Sequence, residues 1–274
     1  MSTSIIRSHL YVPGDQPRVL ERAEERGADA VIFDLEDAVA DANKDAALSA
    51  VLAVVARPRG TGQRWVRVNP ARRGIDEIAT LAEADIDGIW LPKAEPGEWF
   101  DEALSGITRA GLRVGVLIES ARGLVGMPAL SPLPTDSLAQ LGEIDLRADL
   151  RIRDASEEAM VPYRARIVME AALRGLVPAV GPVDPNYTDM DAFREGTMLL
   201  RNRGFGSRAC IHPAQVLIVN EVFTPDQSEV DEARNILAEF DAHSAAGRGS
   251  YGSDGVMTDL ATVRWARTVL DGAE

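Results

Sequence analysis

The chain has 274 residues, with 46% hydrophobic and 26% charged side chains, which bounds it to an ordinary soluble globular protein with a sizeable core. A formal net charge of −14 argues against nucleic acid or an anionic membrane as partner. The single cysteine, Cys210, excludes an intrachain disulfide and reads as a buried thiol of a reducing compartment. The first residues lack a basic-then-apolar signal pattern and no apolar run reaches membrane-spanning length, so the expected location is cytoplasmic.

In chain order, short apolar runs alternate with helical stretches. Leu10–Pro13 reads as a first strand, followed by a turn in which Asp15 is a plausible N-cap and Pro17 lies in the first helical turn. The run from Ala28 to Phe33 stops at Asp34, with Glu36 and Asp37 just beyond, and a helix follows over 43–56. The segment RWVRVN ends in Arg67 and Asn69, with a helix expected over 74–84. Gly88–Leu91 leads to Lys93, then a helix over 96–110. LRVGVLIE ends in Glu119, with a short helix over 121–130. The run 138–142 leads to Asp145, after which the charged stretch to Met160 reads as a loop with one helical turn, and a strong helix covers 163–175. A weak seventh strand over 177–180, a helix over 189–204 and an eighth strand over 207–211, running into His212, complete the series.

Buried parallel strands read as such continuous runs, and eight strand–helix units close a (β/α)8 barrel with its chemistry at the carboxyl ends of the strands. That barrel is expected over residues 1–223. The remaining 224–274 would be a C-terminal helical arm: a helix opened by Thr224 and Pro225, a Gly/Ser-rich segment, and a last amphipathic helix over 258–270.

Two carboxylates at neighbouring strand ends, Glu119 and Asp145, suit a hard oxygen-seeking ion such as Mg²⁺, which uses one or two protein carboxylates and completes its shell with water and substrate. The alternative is that Glu119 pairs with a basic residue and Asp145 caps a turn. Asp34, Glu36 and Asp37 either line a pocket or cap the next helix and pair with Lys44 or arginines. Arg67 is placed to hold a substrate carboxylate or an enolate oxygen, or to balance that acidic patch. Lys93 meets an anion, forms a Schiff base, or pairs with Glu95. A hydrogen-bonded structural role for His212 competes with that of a base. No GxSxG, GxxxxGK[ST] or HExxH motif is present.

The segments RSHLYVPGDQP, FDLEDAV, RVNP, LPKAE, LIESARG, GEIDLRADL, IHPAQV and DGVMTDLATVRWA follow one another in this chain. Together they resemble the citrate lyase β-subunit-like family, also called the malyl/citramalyl-CoA lyase family, of the HpcH/HpaI aldolase superfamily. The resemblance implies a (β/α)8 barrel, a homotrimer or hexamer, and Mg²⁺-dependent cleavage or formation of the carbon–carbon bond of a 3-hydroxyacyl-CoA, giving a 2-oxo acid and acetyl-CoA. Also within its reach are a thioester hydrolase or condensing enzyme, a metal aldolase on free 2-oxo acids, and a non-catalytic homologue that binds Mg²⁺ and a 2-oxo acid. It makes Glu119 and Asp145 the metal ligands and Arg67 the clamp. Glu36 and Asp37 would line the pocket, Arg7 would touch substrate or CoA, and Asp259 would come from a neighbouring subunit's arm. Two positions depart from the family pattern. Ile144 stands where a glutamate normally precedes the second ligand, with a carboxylate displaced to Glu143, and Val256 replaces a lysine.

Overall fold

The computed structural model describes residues 6–154, 156–245, 251–253 and 256–273. The chain forms two compact units, one over Ile6–Glu221 and one containing the residues from Val222 onward.

In the first unit, strands and helices alternate: β1 (Ser8–Pro13), α1 (Pro17–Leu20), β2 (Ala30–Asp34), α2 (Lys44–Val55), β3 (Gln63–Arg67), α3 (Ala71–Leu81), β4 (Gly88–Leu91) and α4 (Glu98–Arg109). They continue with β5 (Arg113–Ile118), α5 (Ala121–Gly126), β6 (Leu138–Leu141), α6 (Glu143–Asp149), α7 (Glu157–Leu173), β7 (Val180–Gly181), α8 (Met190–Asn202), β8 (Ser207–Cys210) and α9 (Pro213–Phe223). The eight strands pair in sequence order, all parallel, and β8 closes on β1. The expected (β/α)8 barrel is therefore present. Each strand is buried on both faces, inside the barrel and under the helices, which is why these strands read as continuous apolar runs.

Register decides which residues fill the interior. Tyr11, Ile32, Trp65 and Gly88 lie side by side across β1 to β4, and the next inward row is Pro13, Asp34, Arg67 and Trp90. Side chains alternate along a strand, so apolar Ile32 and Trp65 sit one layer below ionic Asp34 and Arg67. The apolar interior is a cluster of Ala30, Ile32, Trp65, Trp90, Leu138, Val180 and Ala209. Two indoles fit only because glycines face them. A Cβ on Gly88 would lie 2.3 Å from the Trp65 ring, and one on Gly115 would lie 2.4 Å from Trp90. Gly88→Ala is expected to cost about 1–3 kcal/mol by overpacking; a denaturant midpoint equal to wild type would refute that.

His9 sits in the same core, fully buried, with its Nε2 3.3 Å from Ser207 Oγ. Burial pushes its imidazole down to about 3, so it is a neutral packing residue.

The structure revises several local expectations. Asp15 does not cap α1, because Gln16 holds that position without a side-chain bond and Asp15 accepts from Asn43 instead. The stretch after Asp145 holds more helix than one turn: α6 already begins at Glu143, the chain is non-helical at 151–154, and α7 starts six residues before the expected Tyr163. Ser156 caps α7 by accepting from Ala159 N, and Glu157 and Glu158 favour the helix dipole, so the helix runs through Pro162. The seventh strand is only two residues long, which explains its weak signal.

In the second unit, α10 (Gln227–Ala245) packs on α11 (Leu260–Asp271) through Ala233, Ala266 and Val269. Thr224 and Pro225 do not open α10. Asp226 and Glu229 instead exchange bonds with each other's backbone N–H, a reciprocal cap. Within the expected Gly/Ser-rich segment, β9 (Tyr251–Ser253) pairs antiparallel with β10 (Val256–Thr258), whereas residues 246–250 and 254–255 lie outside the described residues. No helix among the described residues is long and apolar enough to cross a membrane.

Candidate active site

Beyond the last layer of apolar side chains, the carboxyl ends of β2 to β6 carry the ionic residues. Asp34, the last residue of β2, is 1% exposed and accepts from the backbone N–H groups of Glu36 and Ala38. These bonds curl the DLED segment back over the strand end. Lys44 does not pair with the acidic side chains. Its ammonium donates to the carbonyls of Leu35 and Glu36, at 3.1 and 3.0 Å, and Asn69 also donates to Leu35 O. Asn69 is in turn fixed by Glu77, so the acidic loop is a built feature.

Arg67, ending β3, gives Nε and Nη2 to the two oxygens of Asp34 at 2.7 and 2.6 Å. Its Nη1 lies 3.2 Å from Glu36 Oε2, and its guanidinium stands over the Tyr11 ring, 5.0 Å from the centroid. Arg67 thus does balance the acidic patch, with its charge held at the pocket floor. Glu36 is 2% exposed, and each of its oxygens faces a cation, Lys93 Nζ at 2.8 Å from Oε1 and Arg67 Nη1 at 3.2 Å from Oε2. Burial raises its carboxyl above the usual range, with Arg67 and Lys93 opposing.

Lys93 lies two residues past β4 in a left-handed conformation (φ 48°), which turns its backbone N–H onto Glu119 Oε1 at 2.6 Å. Its ammonium faces Glu36 and Asp37, and the Asp37 side chain is half exposed. The structure does not pair Lys93 with Glu95. Glu95 accepts from Ser120 Oγ instead.

Glu119 follows β5 by one residue and is 4% exposed. Burial, with the negative charges of Glu36 and Asp145 nearby, pushes its carboxyl up to about 8, against the Lys93 N–H and Arg67. Gly142 makes room for it, since a Cβ there would lie 2.6 Å from Glu119 Cβ and 2.8 Å from Oε2. Gly142→Ala is therefore expected to displace the carboxylate and weaken divalent-cation binding about tenfold or more while the protein stays folded; an unchanged cation affinity by calorimetry would refute this. Asp145 is the third residue of α6 and is exposed.

The structure therefore gathers Glu36, Asp37, Arg67, Lys93, Glu119 and Asp145 at one end of the barrel. It does not bring Arg7 there. Arg7 precedes β1 at the opposite end, where its backbone N, Nε and Nη2 all bond to Asp29. Asp259 belongs to the other unit, where it caps α11 by accepting from Ala261 and Thr262 N. Glu143 is not a displaced ligand partner, because Arg164 binds both its oxygens, and Ile144 is half exposed. His212 is occupied by the Ala214 N–H and stacks on Tyr187. Cys210 is buried, its thiol pushed up to about 12, and is inert. Tyr11 and Gln140, which no motif flagged, form the floor: Tyr11 OH donates to Gln140 Oε1 at 3.0 Å. Inward polar residues at period-two spacing within otherwise apolar strands were their only signal.

No group of three or more His, Cys, Asp or Glu side chains among the described residues is placed to hold a metal by itself. The donor set nevertheless fits Mg²⁺. It is all oxygen, two carboxylates suffice, and the buried Glu119 carboxylate accepts a backbone N–H from Lys93 while lying beside the negative charges of Glu36 and Asp145.

A parallel barrel with carboxylates, an arginine and a lysine at the carboxyl ends of its strands defines the class as a barrel enzyme that handles anionic, oxygen-rich substrates. The chain belongs to the HpcH/HpaI aldolase/citrate lyase family, whose model matches residues 7–213. It is 30% identical over 281 residues to the citrate lyase subunit beta of Leuconostoc mesenteroides subsp. cremoris, covering 96% of this chain and 92% of that one. It is 31% identical to a (3S)-malyl-CoA thioesterase of Cereibacter sphaeroides, over 98% of this chain and 94% of that one. Its fold matches CitE of Mycobacterium tuberculosis, solved with magnesium, acetoacetate and coenzyme A, at TM-score 0.81, 28% identity and 98% coverage of both chains.

Proposed function

We propose that this protein is a Mg²⁺-dependent carbon–carbon lyase, which splits a 3-hydroxyacyl-CoA of the malyl-CoA or citramalyl-CoA type into a 2-oxo acid and acetyl-CoA, or joins the two. The observation that carries this reading is the excess of carboxylate over cation at the barrel mouth, where Asp34, Glu36, Asp37, Glu119 and Asp145 share Arg67 and Lys93 and Glu119 is 4% exposed. Such a site awaits a cation. Glu119 and Asp145 would hold Mg²⁺, and when bound it supplies the positive charge that polarises the carbonyl of the 2-oxo acid.

In the cleavage direction a base takes the proton of the 3-hydroxyl. The bond between C2 and C3 breaks, and its electron pair passes to the acetyl thioester as an enolate, which is then protonated at carbon. Arg67 is the group for the anionic 2-oxo acid, because Asp34 fixes its orientation at the pocket floor and its Nη1, 3.2 Å from Glu36, is the nitrogen on the longer pair. Lys93 holds Glu36 and Asp37 in place and contributes a second positive charge to anion binding. Asp37 and Asp259 are the candidates for the base. Asp259 would serve in this way if the C-terminal arm of a second copy reaches the mouth, as in a homotrimer or hexamer. The cytoplasm, where acyl-CoA thioesters are made, is the corresponding location.

Hydrolysis of a malyl-CoA-type thioester is the second reading, favoured by the 31% identity to the malyl-CoA thioesterase. One experiment separates the two. The purified protein with Mg²⁺ is given malyl-, citramalyl- and citryl-CoA, and both 2-oxo acid and free CoA are followed. Release of 2-oxo acid with acetyl-CoA supports the lyase; free CoA with the intact hydroxy acid supports the hydrolase. Turnover of none of them, or turnover unaffected by EDTA, refutes the proposal.

A further inference from the structure

Arg67 is fixed along one edge by Asp34, and its remaining nitrogen, Nη1, lies 3.2 Å from Glu36 Oε2. The two parallel bonds to Asp34 (2.7 and 2.6 Å) set the line of the guanidinium, but a planar fork held along one edge still rocks about that edge. The longer ion pair to Glu36 restrains one nitrogen, and the face of Tyr11, its centroid 5.0 Å from the guanidinium carbon, supports the whole plane from below. The ring is itself held from the far side of the barrel, where its hydroxyl donates to Gln140 Oε1 at 3.0 Å. Tyr11 is on β1 and Gln140 on β6, so a strut from one wall to the other underlies the arginine. Gln140 is 2% exposed, and Tyr11 lies one row below Asp34 and Arg67 in the register. Behind the strut is the apolar core of Ile32, Trp65 and Trp90, which leaves the ring no room to retreat.

We infer that Tyr11, braced by Gln140, is a positioning residue that sets the tilt of Arg67 and thereby the affinity of the pocket for the carboxylate of a 2-oxo acid. A cation over an aromatic face in a desolvated setting is attracted to it, so the platform acts by attraction as well as by shape. The hydroxyl acts on the ring and not on the substrate, so the ring is the part that matters most. This rests on the lyase reading for its substrate class, but the placement of Arg67 can be read without turnover.

The test compares Tyr11→Phe, Tyr11→Leu and Gln140→Leu in the condensing direction, with Mg²⁺, acetyl-CoA and pyruvate or glyoxylate. In Tyr11→Leu the KM for the 2-oxo acid should rise and kcat/KM should fall about thirty-fold, with the KM for acetyl-CoA unchanged. Tyr11→Phe should recover most of that loss, and Gln140→Leu should fall between the two. In parallel, the Arg67 side-chain Nε–H resonance, identified by its absence in Arg67→Lys, is recorded in each metal-free protein. Ring shielding should be kept in Tyr11→Phe and lost in Tyr11→Leu. A Phe variant as impaired as the Leu variant would overturn the proposal, since the hydroxyl would then be the working group. So would a Leu variant with an unshifted Arg67 resonance or with both KM values raised alike. A wild-type protein with no turnover, but with the Arg67 resonance moving as described, would overturn the lyase reading and leave the positioning of Arg67 supported.

Discussion

Glu119→Gln is expected to abolish Mg²⁺-dependent turnover, by about a thousand-fold or more, and at the same time to stabilise the metal-free protein at neutral and alkaline pH. The two effects have one cause. Glu119 is 4% exposed, and burial beside Glu36 and Asp145 holds its carboxyl at about 8, against an ordinary value of 4.5. A folded-state pKa above the unfolded one means that the native state keeps a proton which the unfolded chain releases. The stability associated with that proton is complete below about pH 4.5, declines as pH rises, and is gone once pH passes about 8. A glutamine keeps the acceptor for the Lys93 N–H, at 2.6 Å in the native chain, and carries no charge to desolvate. The variant should therefore gain stability on the order of a few kcal/mol at pH 9 and little at pH 4. Mg²⁺ binding in the wild type should release a proton, with affinity rising roughly tenfold per pH unit until about pH 8. Melting curves at the two pH values and calorimetric Mg²⁺ titrations in two buffers of different ionisation heat check this. A variant that still binds Mg²⁺ like wild type, or is less stable at pH 9, would sink the assignment of Glu119.

The largest effect on stability should come from the other end of the barrel. Arg64→Met is expected to lower stability by about 3–5 kcal/mol without altering the rate per folded molecule. Arg64 faces outward between the buried inward neighbours on β3, and its side chain is fully buried. Nε and Nη2 bind Glu24 at 2.7 and 2.9 Å, and Nη1 binds Val55 O at 2.8 Å and Asp85 at 3.0 Å. Nη2 also reaches the carbonyls of Arg57 and Pro58, where the chain returns from α2 to β3. Methionine fills much of the volume but leaves the buried Val55 carbonyl without that donor and the part-buried Glu24 without its bidentate partner, and such losses are costly. A urea midpoint unchanged from wild type would show that the loop and Glu24 find other partners.

Legibility in the sequence followed locality. The barrel was readable because several strands, β2, β4 and β5 among them, are short apolar runs that stop at or just before a polar residue. Glu119, Arg67 and the DLED carboxylates were readable for the same reason, since the apolar run ends where the strand leaves the core. The motifs carried the family. What could not be read was any contact between residues distant in the chain. Arg7 adjoins a strand as Arg67 does, but at its start and not its end, so it meets Asp29 instead of the pocket. Glu143 looked like a displaced carboxylate until α6 and α7 placed Arg164 against it. The helix from Glu143 was hidden because its seven residues have no apolar period of their own.

By itself, then, the sequence determined the alternation of strands and helices, the end of each strand at which chemistry collects, and the family, because these depend on burial patterns and on short runs of residues. The tertiary structure alone decided which charges meet. The closed register sets Asp34 beside Arg67, stands Arg67 on Tyr11, lets Gln140 reach Tyr11 from β6, and opens space at Gly142 for Glu119. The reason is physical: pairing energies and pKa values depend on distance and burial in space, which eight strands fix only once the barrel has closed.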